Sequence, residues 1–175
     1  MKYLLRIVFL TLLLLTACSN APTLSETDKV AIYTAVIEQL YTHDDTFGGT
    51  YQAADTYILS QTDDSVGDPE IEQLEPQVLA TAVQSEITAA LAHLPTNIVW
   101  VESRTAVPLD DATGSVADGG IIMTLGNIQP QKDGTVLVSA SIYVGMLAAG
   151  GQTYVLEQAA GGWQIKGTTG VQWIS

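Results

Sequence analysis

The chain has 175 residues, 47% of them hydrophobic, with 19 acidic residues against six lysines and arginines, a net charge of −13 and one cysteine. Charge of that sign and size repels phosphate backbones, so nucleic acid is not an expected partner. A lone cysteine removes any internal disulfide, and an exported domain of this kind must be held by its apolar core.

At the amino end, Lys2 and Arg6 accompany an almost uninterrupted apolar run from Leu4 to Leu15. That is the layout of a signal peptide. At about 1.5 Å per helical residue the run is too short to cross a hydrocarbon core roughly 30 Å thick. It ends in Leu15-Thr16-Ala17-Cys18, which resembles a bacterial lipobox. The resemblance covers the first eighteen residues. It implies that Cys18 carries a diacylglyceryl thioether, as a lipid anchor rather than a nucleophile or a metal ligand. An uncleaved anchor and a secretory peptide cut after Ala17 are the alternatives. On the lipobox reading, residues 1–17 are a lipoprotein signal peptide, 18–26 a lipidated tether and 27–175 a single domain. The protein is then extracytoplasmic, with the membrane as its partner through Cys18. Ser19 in place of Asp is compatible with the outer membrane as well as the cell membrane. Loss of Lys2 and Arg6 leaves four basic residues against 19 acidic ones, hence −15, on about 158 residues. That is enough chain for one proper core.

Ser25-Glu26-Thr27-Asp28 reads as a helix start, a hydroxyl cap with an acid three residues on. Val30, Tyr33, Val36, Ile37, Leu40 and Tyr41 follow at helical spacing, and Gly48-Gly49 ends the segment. Thr56 to Gln61 is a short strand. Asp63 to Glu75 is an acidic loop. Pro76 suits the first turn of a second helix, with Val78, Leu79, Ala82, Val83, Ile87, Ala90, Leu91 and Leu94 on its apolar face and Pro95 as its stop. The period then becomes strand-like. Strands are expected over Ile98 to Glu102, Gly120 to Leu125, Val136 to Leu147, Thr153 to Gln158 and Trp163 to Thr168. Turns fall at Asp133-Gly134, Gly150-Gly151 and Gly161-Gly162.

The closing segment runs from Leu156 through Gly161-Gly162-Trp163-Gln164-Ile165. Its Leu-x-x-x-x-Gly-x-Trp-x-Ile pattern resembles the final hairpin of cystatin-like domains of the nuclear-transport-factor superfamily. The resemblance covers residues 27–175 and departs from the family at 63–75 and at Thr169 to Ser175. It implies an α+β fold, with N-terminal helices packed on a curved antiparallel β-meander of five or six strands, and a conical cavity between them. It transfers no catalytic residue, because no functional motif of the superfamily matches.

Few residues offer chemistry. His43, beside Asp44 and Asp45 at a helix end, is a candidate general base or ligand-binding residue, or could share zinc with His93. The alternative is a solvated helix terminus. Asp63, Asp64, Asp68 and Glu70 are candidate metal ligands, because calcium takes several oxygens from a flexible loop. Their order does not follow the regular twelve-residue calcium loop, and a mobile solvated loop is the alternative. Arg104 is a candidate carboxylate binder, against a plain surface pair with Glu102. Trp100, Tyr143, Tyr154, Trp163 and Trp173 read as core or as the lining of a ligand cavity. There is no Gly-x-Ser-x-Gly, Ser-x-x-Lys or His-Glu-x-x-His motif, and no cofactor is expected. The function expected is a non-enzymatic, envelope-anchored binding or interaction module with a protein or small-molecule ligand. The alternatives are an exported enzyme with a cone-shaped pocket and a calcium-binding protein using residues 63–75.

Overall fold

The computed structural model describes residues 23–43 and 52–175; the expected signal peptide, Cys18 and the helix end expected at Gly48-Gly49 lie outside the described residues. Helix α1 spans Glu26–His43. Its start is the reciprocal cap that the sequence suggests. The Asp28 N–H donates to Ser25 Oγ at 3.1 Å, and the Ser25 N–H donates to Asp28 Oδ2 at 2.9 Å. The remaining elements are β1 (Asp55–Leu59), α2 (Thr81–Ala90), β2 (Asn97–Val101), β3 (Ile121–Leu125), β4 (Gln129–Pro130), β5 (Val136–Gly145), β6 (Ala148–Ala159) and β7 (Gly162–Ile174).

The strands form one sheet in the order β2-β1-β3-β5-β6-β7, with β4 also paired to β5. The α+β class holds. The sheet has seven strands rather than five or six, and it is mixed rather than an antiparallel meander. β1 runs parallel to both β2 and β3, while β3, β5, β6 and β7 alternate in direction. The causes are two crossovers, α2 between β1 and β2 and the 102–120 connection between β2 and β3. A crossover returns the chain to the same end of the sheet, so the second strand runs in the direction of the first.

Three expectations about local structure are corrected. The second helix starts at Thr81 and not near Pro76, because residues 77–79 pair with the chain leaving β1. The Thr62 N–H donates to Gln77 O at 2.9 Å, the Leu79 N–H donates to Ser60 O at 2.8 Å, and Val78 faces Gln61 across this bridge. Gly150-Gly151 is not a turn but lies inside β6, and the chain reverses at Met146-Leu147. A Cβ on Gly151 would stand 2.0 Å from Val66 O and 2.6 Å from Trp173 Nε1, so glycine is needed there for close approach rather than for turning. The segment from Thr169 is not an appendage either: β7 continues to Ile174, opposite Gly150. The Asp133-Gly134 turn does join β4 to β5, with Gly134 at φ +87°.

One face of the sheet carries α1. Ile32, Tyr33, Val36, Ile37, Leu40 and Tyr41 are buried, together with Ile58, Met123, Leu125, Val138, Tyr154 and Leu156 from the strands and Val83, Ile87 and Leu91 from α2 and its end. Each fully buried side chain of this size contributes about 1.5–3 kcal/mol relative to exposure. Tyr33 reaches the sheet rim, where its hydroxyl donates to Gly126 O at 3.1 Å. Burial, and then the Asp64 charge, push its pKa far up. The opposite face is covered by the 102–120 connection, whose Val107 and Val116 sit on Ile122.

Candidate functional site

The acidic loop is fastened to the sheet. Asp64 is 2% exposed. Its Oδ1 accepts the Asn127 N–H at 2.6 Å, and its Oδ2 accepts from the Leu74 N–H at 2.9 Å, Asn127 Nδ2 at 3.0 Å and Gln129 Nε2 at 3.2 Å. Four neutral donors thus surround one buried carboxylate. Asp63 Oδ1 caps the short 3-10 turn Asp64–Val66 by accepting from the Ser65 N–H at 2.9 Å. Asp68 is buried; its N–H donates to Thr153 Oγ1 at 3.0 Å, and its Oδ1 accepts the Glu70 N–H at 3.1 Å. Asp63, Asp64 and Asp68 are therefore engaged by hydrogen bonds within the protein. Among the described residues no group of three or more His, Cys, Asp or Glu side chains could hold a metal ion.

The histidines are placed at separate helix ends. His43 is the last residue of α1 and hydrogen-bonds through Nδ1 to Thr42 Oγ1. His93, past the end of α2, sits with Nε2 3.0 Å from Glu38 Oε1, an exposed contact that ties α2 to α1. Arg104 leaves Glu102 and lies over the Tyr143 ring, with the guanidinium carbon 3.5 Å from the ring centroid. The Tyr143 hydroxyl in turn donates to Gly114 O at 2.6 Å. His43 and Arg104 are not brought together.

Two of the surfaces among the described residues stand out as places where another molecule can be held. The first is a groove of about 570 Å³ at the carboxyl ends of β1 and β2. It is lined by Ser60 and Gln61, by Val78 to Thr81, by Gln84, and by Trp100, Val101 and Glu102. The Trp100 Nε1–H donates to Thr88 Oγ1 on α2 at 3.0 Å, which fixes the indole as a wall. Val78 is 72% exposed on the other side. The groove exists because residues 77–80 stay extended, the feature that helical periodicity hid. Trp100 was legible only as a generic core aromatic, and Glu102 only as a neighbour of Arg104. The signal for both was the β2 sequence itself, Asn97-Ile98-Val99-Trp100-Val101, which carries no charge or proline to guard an edge.

The second surface is the β5–β6 hairpin tip. Met146 and Leu147 are 66% and 90% exposed, with Val171 and Ile174 of β7 exposed nearby along the same end of the sheet. The start of α1 lies at the other end, where Leu24 shares a smaller hollow with Asn127 and Ile128 just beyond β3. No protein-family model matches the chain, and neither a curated protein nor a solved structure matches it.

Proposed function

We propose that this protein is an envelope-anchored lipoprotein that works by holding a partner rather than by catalysis. The observation that carries the reading is the bare apolar tip at Met146 and Leu147, set at the end of the sheet away from where the chain enters the domain. Ten residues of β5 separate the two ends by about 30 Å. Six residues join Cys18 to Leu24, a reach of at most about 20 Å. An acyl chain on Cys18 then holds the α1 end toward the bilayer and presents the tip outward. Apolar side chains facing water at such a place are what a protein interface requires. The finer fold reading, a cystatin-like cone, belongs with this proposal. The packing of α1 on one face of the sheet and the Gly162-Trp163 hairpin support it, and the parallel β1 departs from the expected meander.

A photo-crosslinking amino acid at position 147, in intact cells, tests the interface. A discrete adduct is expected from 147 and none from position 86 on the exposed side of α2, with the 147 adduct lost on Met146→Ser. Equal adducts at both positions, or none at either, would refute the interface.

A further inference from the structure

The outer edge of β2 and the groove at its end belong together. The Asn97 N–H donates to Ala54 O, and the Ser60 N–H donates to Val101 O, so the alternate residues 97, 99 and 101 turn their main-chain groups toward β1. Ile98 and Trp100 turn theirs outward, and no partner meets them among the described residues. The opposite edge of the sheet is guarded. β7 carries Lys166, and two register shifts interrupt its pairing with β6. Such features are how proteins prevent strand addition; β2 has neither.

We infer that β2 accepts an extended peptide segment as an added strand, and that the segment carries a lysine or arginine whose side chain enters the groove. Main-chain groups of Ile98 and Trp100 supply the strand contacts, as in other cases of β-addition. The groove supplies the selectivity. Val78, Leu79 and Ala80 offer an apolar wall to the methylene stem, and the Trp100 ring lies beside the path of the cationic head. Glu102 closes the end. Its carboxylate is exposed and makes no hydrogen bond or ion pair among the described residues, and no Lys, Arg or His lines the groove. A net charge of −13 favours the approach of a basic segment over an acidic one. The groove and the apolar tip lie at opposite ends of the sheet, so a failure at one leaves the other standing.

The test is a titration of the full-length lipidated protein, in detergent micelles, with a capped Val-Lys-Val-Lys-Val peptide followed by amide NMR. The Ile98 and Trp100 amides are expected to shift and to become protected from exchange. Glu102→Gln, on an exposed side chain, is expected to weaken binding about tenfold, the size of one charge-assisted contact. The peptide with glutamate in place of lysine is expected to fail. Unchanged affinity on N-methylation of alternate peptide nitrogens would overturn strand addition. Equal competition by free lysine amide would make a small amine the ligand instead. Shifts confined to Met146 and Leu147, or no shift at millimolar peptide, would also overturn the inference.

Discussion

Asp64 is a buried carboxylate on which donors from two separate stretches of chain, Leu74 and 127–129, converge. Replacing it with alanine leaves the Leu74 and Asn127 N–H groups without their acceptor, while the Asn127 and Gln129 side-chain amides keep only their bonds to Glu75 O and Glu72 O. Each buried donor left unmade costs about 1–3 kcal/mol, so Asp64→Ala should destabilise by roughly 3 kcal/mol or more, read from the urea midpoint. A metal ligand would respond differently, with stability that depends on added cation. Asp28 makes a second prediction at this scale. Ser25 Oγ–H, then the Trp163 indole N–H, hold its carboxyl below the usual range. A carboxyl depressed in the folded state stabilises above its unfolded pKa and loses that contribution as pH falls through the folded value. Asp110 and Asp133 are depressed by their own turn donors, chiefly from Thr113 and Thr135, and act in the same direction. The melting temperature should therefore hold from neutral pH down to about 5 and fall below about 4. Asp28→Asn should lower the neutral value and shrink the acid drop; an unchanged acid drop would show that Asp28 has no part in it. The Trp163 partner, 135 residues from Asp28, was not legible in the sequence; the Ser25, Thr113 and Thr135 partners lie two or three residues from their acids, and of these only Ser25 with Asp28 was read in advance, as a helix cap.

Among the elements, what could be read depended on how far away the deciding partner lay. The start of α1 and the bounds of β1, β2 and β3 follow from local periodicity to within a residue or two, and the Asp133-Gly134 turn follows from its residues. The extended run 77–80 did not, because its apolar spacing suits a helix while Ser60 and Thr62, fifteen or so residues away, claim its hydrogen bonds. The direction of β1 was likewise set by pairing with β2 and β3 across α2 and the 102–120 connection. Gly150-Gly151 was misread for a third reason: the same residue that allows a turn also allows close packing. Gly151→Ala tests this. The added methyl meets Val66 O and the Trp173 indole, and overpacking of this kind costs about 1–3 kcal/mol. A turn glycine with open space around it would tolerate the change. The loss should appear in the same urea titration, with the slope unchanged.

For the whole molecule the anchor is the proposal to test first. Cys18→Ser should move the protein from the membrane pellet to the soluble fraction while leaving the melting curve of the domain as it was. Retention in the pellet would remove the lipobox reading and, with it, the orientation argued for the apolar tip. Little of the candidate site was legible in advance. His43 and Arg104 were singled out by residue type, and the fold sends them to a helix end and to the face of Tyr143. The groove residues were read in other roles, Val78 and Leu79 on a helix face and Trp100 as a core or cavity aromatic, because only the crossover gathers them. Trp163, on the final hairpin, donates to Asp28 at the first turn of the first helix, 135 residues earlier in the chain. Ends so far apart in sequence make closure slow. A polypeptide that emerges amino end first leaves its opening helix without this clasp until nearly its last residue is out.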